Sequence, residues 1–247
     1  MSKHLSGKAA LVTGGARGIG AGIARRLAAD GARVAITYSA SRAAAEALVE
    51  QLTAAGGEAV AIQADAADEA ATRAAVSETV RRFGRLDILV NNAGVGVAAP
   101  IGETRMADFD HCVGVNFRAV FVAMQEASRH LGEGGRIITI GSVNGDRVPF
   151  GGGAVYAATK AAVAGLTRGV ARDLGPRGVT VNLVQPGPID TDMNPADGPW
   201  AEAGRSATAL GRFGETRDVA SLVSFLASDE ARFITGASLN IDGGYNA

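Results

Sequence analysis

Tyr156 and Lys160 are the residues whose types and spacing most directly suggest chemistry. They lie four residues apart in Tyr-Ala-Ala-Thr-Lys, within an alanine-rich stretch. On an α-helix, positions i and i+4 share one face, so the phenol and the ammonium would point into the same space. A cation beside a phenol favours its ionised form, which suits proton transfer. The same spacing is also common where a half-buried aromatic lies beside a solvated charge, so the pair needs further context.

The rest of the chain predicts the scaffold that must position this pair. Seven short apolar runs are typical of strands, at about 9–13, 33–37, 59–63, 86–90, 136–140, 180–184 and 238–241. Helical patterns separate them, ending near 29 and covering about 41–55, 68–82, 107–130, 154–174 and 216–227. Strands that alternate with helices pair in parallel through right-handed crossovers. We therefore predict an α/β fold with one domain over 1–247, a Rossmann-type doubly wound parallel sheet of about seven strands with helices on both faces.

Four segments that could bind ligands each follow a different predicted strand. They are the glycine turn at 14–20, Asn-Asn-Ala-Gly at 91–94, Ser142, and the Pro-Gly step at 186–187. Ligands in such sheets bind beyond the carboxyl ends of the strands, so all four segments would open onto one edge. The irregular stretch at about 187–210 is expected to be an inserted substrate loop, because such segments over a rigid sheet set specificity.

Composition excludes several classes of function. The 247 residues include 24 basic and 25 acidic side chains, and neither charge is clustered. We therefore expect neither nucleic acid nor a membrane surface as a partner. The histidines are scattered and Cys112 is the single cysteine, which excludes a structural zinc site and an intrachain disulfide. No apolar stretch approaches membrane-spanning length, and we expect a soluble cytoplasmic protein without a metal.

The glycine turn has the spacing Gly14-x-x-x-Gly18-x-Gly20. Glycines after a first strand let the backbone approach a pyrophosphate, and the amides of the following helix favour its negative charge. A purely structural tight turn would use the same residue type. A Walker-type phosphate loop is disfavoured, because neither Lys-Ser nor Lys-Thr follows the last glycine.

Six motifs, in order, resemble the short-chain dehydrogenase/reductase family. They are Thr13-Gly14-Gly15-Ala16-Arg17-Gly18-Ile19-Gly20, Asn91-Asn92-Ala93-Gly94, Asn116, Ser142, Tyr156-Ala-Ala-Thr-Lys160 and Pro186-Gly187-Pro188-Ile189-Asp190-Thr191. Together they span almost the whole chain, and their order is more specific than any one motif. The resemblance, notably to 3-oxoacyl-(acyl carrier protein) reductases, implies an oxidoreductase that uses NAD(P) and interconverts a small-molecule ketone or oxoacyl carbonyl and a secondary alcohol.

The resemblance also implies which residues hold the dinucleotide. Most fall in the motifs above: Gly14, Gly18, Ile19 and Gly20 for the phosphates; Asn91, Ala93 and Gly94 for the adenosine ribose side; and, in the last cofactor-binding segment, Pro186 and Gly187 followed by Ile189 and Thr191, which would contact the nicotinamide carboxamide. Asp65, after the third strand, would meet the adenine amino group. The alternative is that Asp65, in Ala-Asp-Ala-Ala-Asp, is a turn or helix-capping residue.

Charge after the second strand predicts which dinucleotide binds. NAD enzymes tend to place an acid there, and that acid repels a 2′-phosphate. Here the position is occupied by Tyr38 and Ser39, and Arg17 and Arg42 lie nearby in the sequence. Guanidinium groups suit phosphate, so we predict NADPH rather than NADH. The alternative is that both arginines are merely solvated.

In the family mechanism that the resemblance implies, Tyr156 is the general acid in reduction and the base in oxidation. Lys160 holds the nicotinamide ribose and stabilises the phenolate, Ser142 hydrogen-bonds the substrate oxygen, and Asn116 supports a water that links Lys160 to solvent. As alternatives, Ser142 could be a plain turn serine and Asn116 a polar residue on a helix surface. A Ser-His-acid hydrolase is disfavoured, because Ser142 lacks the Gly-x-Ser-x-Gly context.

A second resemblance implies a rival function. The segments 140–147, 185–192 and 194–196 are similar to a bacterial branch described as cyclic-di-GMP-binding biofilm dispersal mediators, which implies nucleotide sensing with little or no turnover. Members of the wider family are commonly homotetramers or homodimers. The small residues of the Tyr156 helix would allow such packing, although a helix buried within one subunit needs the same residues.

Overall fold

The computed structural model describes residues 3–247, and these form seven β-strands and eight α-helices. The strands are β1 (Ala9–Val12), β2 (Arg33–Tyr38), β3 (Ala59–Gln63), β4 (Ile88–Asn91), β5 (Arg136–Ile140), β6 (Thr180–Pro186) and β7 (Ser238–Ile241). The helices are α1 (Gly18–Ala29), α2 (Arg42–Ala54), α3 (Glu69–Phe83), α4 (Met106–Val113), α5 (Ala119–Ala127), α6 (Ala154–Leu174), α7 (Ala201–Ala207) and α8 (Thr216–Ala227).

The strands form one parallel sheet in the order β3-β2-β1-β4-β5-β6-β7. The predicted doubly wound fold is therefore confirmed. The order reverses at β1, where Val12 lies between Ile36 of β2 and Val90 of β4. In open sheets, such a reversal opens a crevice beyond the carboxyl ends of the strands. The glycine turn and the Asn-Asn-Ala-Gly run both begin at this crevice.

Two apolar layers explain why the strands are almost wholly hydrophobic. Val34 and Ile36 belong to one buried cluster with residues of α1 and α8, such as Leu27 and Val223. Ala35, between them on β2, belongs to the other cluster, which includes residues of α3, α5 and α6. Successive side chains of a strand point to opposite faces, so a sheet covered on both faces needs apolar residues throughout.

The helix predicted over 107–130 is instead interrupted. Between α4 and α5, residues Gly114–Arg118 form a π-helical turn. A π turn adds one residue to the helix, and the apolar pattern continues through it, so helical periodicity did not reveal the break. The predicted irregular stretch also contains α7, which carries too few apolar residues to show a period.

The other predicted elements agree with the structure to within a few residues. Asp68 caps α3 by accepting a hydrogen bond from the amide of Ala71 at 3.1 Å, and Gly84 ends it in the left-handed conformation, as expected. Within residues 3–247, no helix combines the length and apolar character needed to cross a bilayer.

Candidate active site

The glycine turn after β1 packs tightly against the loop that follows β4. Gly14 has a φ of +61°, and a Cβ at this position would lie 2.9 Å from the Cα of Ala93. A Cβ on Gly20 would lie 2.5 Å from Nδ2 of Asn92. Two of the three predicted phosphate-binding glycines are therefore also required by packing. Gly18, with a φ of +55°, faces the methyl group of Thr191 across the crevice, 3.6 Å from an added Cβ.

Three polar residues to which the sequence assigned no role, Thr13, Asn92 and Thr37, hydrogen-bond to this turn and hold it in place. The Oγ1 of Thr13 accepts hydrogen bonds from the amides of Asn92 at 3.0 Å and Ala93 at 3.1 Å. The Nδ2 of Asn92 donates to the carbonyls of Thr13 and Gly14. The Oγ1 of Thr37, near the end of β2, accepts from the amide of Gly14 at 2.9 Å. These bonds fix where the glycine backbone lies at the sheet edge.

The start of α1 fits an anionic group. Arg17 is its N-cap residue, and the Arg17 side chain makes no capping hydrogen bond. Uncapped amides and the helix dipole attract phosphate. Ile19 lies in the first turn with part of its surface buried. The Arg17 side chain is exposed, and its Nη1 lies 3.8 Å from Oδ2 of Asp192, across the crevice.

The residues that would distinguish NADP from NAD lie at the outer side of the crevice. Tyr38 is buried at the end of β2, and Ser39 is exposed. Arg42 is the first residue of α2; its side chain is exposed, and its Nη1 lies 3.6 Å from the Glu46 carboxylate. Asp65 is exposed after β3, where its Oδ1 accepts a hydrogen bond from the amide of Ala67 at 2.9 Å. That bond is the turn geometry foreseen as the alternative to adenine binding.

Asn91, at the end of β4, is almost fully buried. Its Nδ2 lies 3.4 Å from Oγ1 of Thr139, and its Oδ1 has no hydrogen-bond partner within residues 3–247. A cavity of about 20 Å³ beside it is lined also by Thr13, Thr37 and Ala93. This volume is enough for one water molecule.

Tyr156 and Lys160 lie in the first two turns of α6, as predicted. The Lys160 Nζ lies 5.6 Å from the centroid of the Tyr156 ring. Lys160 is only 5% exposed, and its ammonium donates a hydrogen bond to the carbonyl of Ile140 at 3.0 Å. It is therefore a buried charge aimed at the end of β5 and not a solvated surface lysine. Tyr156 is half-buried.

Ser142 follows β5 after Gly141, in extended conformation, and is buried. Its Oγ accepts a hydrogen bond from the amide of Asn144 at 3.1 Å. A hydroxyl has one proton to donate, and this contact leaves that proton free. Because Lys160 bonds to Ile140, two residues before Ser142, the serine and the Tyr156 helix meet at the end of β5.

Asn116 lies in the π-helical turn and is 1% exposed, so it is not a surface residue. Its Oδ1 accepts from the amide of Val95 at 2.9 Å, and its Nδ2 donates to the Val95 carbonyl at 2.9 Å and to Oγ1 of Thr159 at 3.1 Å. Thr159 in turn donates to the carbonyl of Tyr156 at 2.7 Å. Asn116 thus ties the loop after β4 to the Tyr156 helix.

Thr159 and Cys112 were not identified from the sequence as part of this arrangement. Thr159 could have been suspected, because it lies inside the Tyr-Ala-Ala-Thr-Lys motif. Cys112 is buried, with its Sγ 3.3 Å from Nδ2 of Asn116, and burial raises the pKa of its thiol. A Cβ added to Gly94 would lie 3.5 Å from both Oδ1 of Asn116 and Nζ of Lys160, so these three residues converge.

The segment after β6 completes the edge. A Cβ on Gly187 would lie 2.7 Å from the Cα of Asp242, so glycine is needed for its packing; Pro186, just before it, pairs with Ile241 of β7. Ile189 is buried and Thr191 is partly buried. Residues 3–247 contain no group of three or more histidine, cysteine or carboxylate side chains that could hold a metal ion.

Comparison with known proteins identifies relatives that match nearly the whole chain. A family model described as enoyl-(acyl carrier protein) reductase matches residues 14–246. The solved structure of a short-chain dehydrogenase from Burkholderia cenocepacia J2315 in complex with NADP is 57% identical, covers 99% of this chain and 100% of its own, and superposes with a TM-score of 0.98.

Two curated relatives have different described functions. The cyclic-di-GMP-binding biofilm dispersal mediator protein of Escherichia coli (strain K12) is 49% identical over 98% of both chains. The 3-oxoacyl-[acyl-carrier-protein] reductase of Staphylococcus aureus (strain Mu50) is 43% identical, covering 96% of this chain and 97% of its own. Since the family model and these relatives extend over the same fold and motifs, this chain belongs to the short-chain dehydrogenase/reductase family of NAD(P)-dependent oxidoreductases.

Proposed function

We propose that this protein is an NADPH-dependent reductase that converts a ketone or oxoacyl carbonyl to a secondary alcohol, reversibly, with Tyr156 as general acid and base. The observation that carries the proposal is the buried Lys160 ammonium, 5.6 Å from the Tyr156 ring at the strand end that leads to Ser142. Burial of a cation costs free energy, so a purely structural role rarely uses one. A positioned proton donor such as Tyr156, in contrast, requires a nearby cation.

The side chains of the site have the protons and hydrogen-bond donors that their proposed roles require. In reduction, Tyr156 gives its phenolic proton to the carbonyl oxygen, and the Lys160 cation stabilises the negative charge left on the phenol. Ser142 is free to donate its hydroxyl proton to the same substrate oxygen. Lys160 uses one of its three N–H groups on Ile140, which leaves two for ribose hydroxyls. In oxidation, the direction of proton transfer reverses.

A bound nicotinamide would supply the hydride. The uncapped amides at the start of α1 and the glycines at 14, 18 and 20 would hold the phosphates, with Ile189 and Thr191 near the carboxamide. The side-chain amide of Asn116 is committed to Val95 and Thr159, so support of a water beside Lys160 would come from its backbone carbonyl.

The preference for NADPH is supported by charge and by similarity. No carboxylate stands at Tyr38 or Ser39. The guanidinium groups of Arg17 and Arg42 are exposed, and their ion-pair carboxylates lie 3.8 and 3.6 Å away, so binding of a phosphate would not have to break a strong ion pair. Such exposed pairs are weak. The similar protein from B. cenocepacia was solved with NADP.

The test is a screen of NADPH and NADH oxidation against a panel of ketones and oxoacyl thioesters, including ethyl acetoacetate and acetoacetyl-coenzyme A. We expect turnover on at least one of them, with kcat/KM for NADPH at least about tenfold above that for NADH, the value of one modest charge interaction. Equal use of the two cofactors, or a preference for NADH, would contradict the cofactor assignment.

Cyclic-di-GMP sensing is the second candidate function. It is supported by the 49% identity with the E. coli biofilm dispersal mediator. A calorimetric titration of the protein with cyclic-di-GMP separates the two candidates. Tight binding together with no turnover on any carbonyl would favour the sensor, whereas turnover without such binding would favour the reductase.

We also propose that the residues near 187–210 form the substrate loop of a single domain. Trp200 and Met193 in this loop are exposed, as expected of a segment that encloses a substrate.

We also propose that the protein is a homodimer or homotetramer. Phe121, on α5, is 44% exposed, and Phe233, before β7, is 99% exposed. Large apolar side chains of this kind are favoured at subunit interfaces. Sedimentation would measure the assembly.

A further inference from the structure

A polar cluster of one buried and two exposed residues lies beside Ser142 and takes no part in the proposed chemistry. Its centre is Gln185 on β6, which is 1% exposed. The Nε2 of Gln185 donates to Oδ2 of Asp146 at 2.7 Å and to Oδ1 of Asn240, on β7, at 3.0 Å. Within the described residues, its Oε1 has no hydrogen-bond partner. The cluster joins the ends of three neighbouring strands.

Asp146 belongs to the same short turn as Ser142. Residues Val143–Gly145 form a 3₁₀ turn, in which the amide of Gly145 donates to the Ser142 carbonyl at 2.9 Å. The amide of Asp146 donates to the Val143 carbonyl at 3.0 Å. The position of the Asp146 carboxylate therefore constrains the backbone of Ser142, because these two hydrogen bonds fix the backbone that joins them.

The opposite side of this turn is pressed against the Tyr156 helix. A Cβ on Gly145 would lie 3.0 Å from the backbone carbonyl carbon of Lys160. The turn thus lies between α6 and Gln185, and it has little room to shift toward the helix. A second anchor follows, since Nη1 of Arg147 donates to the carbonyl of Tyr245 at 2.7 Å.

Gln185 is suited to hold the turn because its own amide is fixed. Both protons of Nε2 are used, one on Asp146 and one on Asn240, so the group cannot rotate without losing a hydrogen bond. The bond to Asp146 is to a carboxylate, which makes it the stronger of the two. Residues of β6 and β5 are also paired directly, Val184 with Ile140.

We propose that Gln185 is a positioning residue that acts through Asp146 to hold the Ser142 hydroxyl against the substrate carbonyl. This rests on the proposed function, in which Ser142 binds the substrate oxygen. The glycine turn lies at β1, and the side-chain hydrogen bonds of Gln185 reach neither that turn nor the Pro186-Gly187 step that follows Gln185 in the chain. Loss of Gln185 should therefore impair the carbonyl step and leave NADPH binding unchanged.

The test is a double-mutant cycle between Gln185→Ala and Ser142→Ala, measured as kcat/KM for the best ketone of the panel with NADPH saturating. We expect Ser142→Ala to lose about a hundredfold and Gln185→Ala at least about tenfold. In the Ser142→Ala background, Gln185→Ala should cost less than about twofold, because there is no hydroxyl left to misplace. The Kd for NADPH, from fluorescence titration, should stay unchanged throughout.

The outcomes separate this inference from the proposed function. If the Gln185→Ala loss is equally large in both backgrounds, Gln185 does not act through Ser142 and the inference fails while the reductase stands. If Ser142→Ala has wild-type kcat/KM, the proposed role of Ser142 fails and the inference fails with it. A weakened Kd for NADPH in Gln185→Ala would also overturn the inference.

Asn182→Ala is the matched control for a merely structural loss. Asn182 is on the same strand and is also 1% exposed; its Nδ2 donates to the Ile234 carbonyl at 2.8 Å and its Oδ1 accepts from the Ala237 amide at 3.2 Å. We expect it to lower the melting temperature about as much as Gln185→Ala. Its kcat/KM should stay within about twofold of wild type. An equal loss of kcat/KM in both variants would contradict a positioning role.

A donor–acceptor swap gives a second readout. Gln185→Glu places two carboxylates in contact and should lower kcat/KM, because the like charges repel and displace the turn. In Asp146→Asn/Gln185→Glu, the new amide can donate to the new carboxylate, and the exposed Asn240 can turn its own amide to donate to it as well, so kcat/KM should recover to within about threefold of wild type. A double variant no better than Gln185→Glu would overturn the proposal.

Discussion

Replacing Lys160 with methionine tests the electrostatic part of the proposed mechanism. Methionine keeps an apolar stem of similar length and removes the cation that lies 5.6 Å from the Tyr156 ring. At that distance and an effective dielectric constant of about 20, a unit charge interacts with another by ~3 kcal/mol. About 1.4 kcal/mol corresponds to a factor of ten in rate, so we expect kcat to fall about a hundredfold.

The assay is NADPH oxidation with a saturating ketone, beside a separate NADPH titration, because Lys160 is also expected to bind the ribose. Lys8→Met is the matched control. Lys8 immediately precedes β1, so it lies at the amino-terminal ends of the strands, opposite the end where the site lies, and loss of its positive charge should leave kcat unchanged. Thermal melting checks that both variants fold. A kcat for Lys160→Met within about threefold of wild type, with NADPH saturating, would refute the electrostatic reasoning.

Three further predictions concern other parts of the crevice. Gly14→Ala should abolish measurable NADPH binding and lower stability by about 1–2 kcal/mol, because φ is positive and a close backbone contact would result; Gly56→Ala, also at positive φ but with no neighbour within 4 Å, should lower stability and spare binding. Both variants are compared by NADPH titration and thermal melting, and equal NADPH binding by the two would contradict this prediction. The Cys112 thiol, buried and with a raised pKa, should react with a thiol reagent only when the chain unfolds, and reaction at the rate of a free thiol in the native protein would contradict its placement. Asp192→Asn should tighten NADPH binding, because the carboxylate near Arg17 no longer competes with the cofactor phosphate; weaker binding by titration would count against that competition.

The scaffold of the site could be predicted because its signals are local. The strands coincide with short apolar runs, since the central strands are covered on both faces, and α6 (Ala154–Leu174) ends at its predicted residue because Gly175 and Pro176 follow its last turn. The resemblance to a family located Ser142 and Tyr156 through their order in the chain. The structure adds the burial of Lys160, which the sequence alone left open between a functional cation and a solvated one.

The parts that could not be predicted depend on contacts between distant residues. The π-helical turn at Asn116 leaves the apolar pattern intact, so no period reveals it. The bonds from Asn116 to Val95 and Thr159 join residues that are 21 and 43 positions away. The Gln185 cluster likewise requires β5, β6 and β7 to be neighbours, which only the sheet order supplies. Local propensity does not contain this information.

Tyr156→Phe is the measurement that tests the central claim most directly, because it removes one oxygen from the half-buried ring and keeps the rest of the side chain. We expect the variant to fold, to bind NADPH with the wild-type Kd, and to lose at least about a hundredfold in kcat on the best ketone, the lower range for removal of a positioned acid. Turnover within a few-fold of wild type would contradict the assignment of Tyr156 as the proton donor.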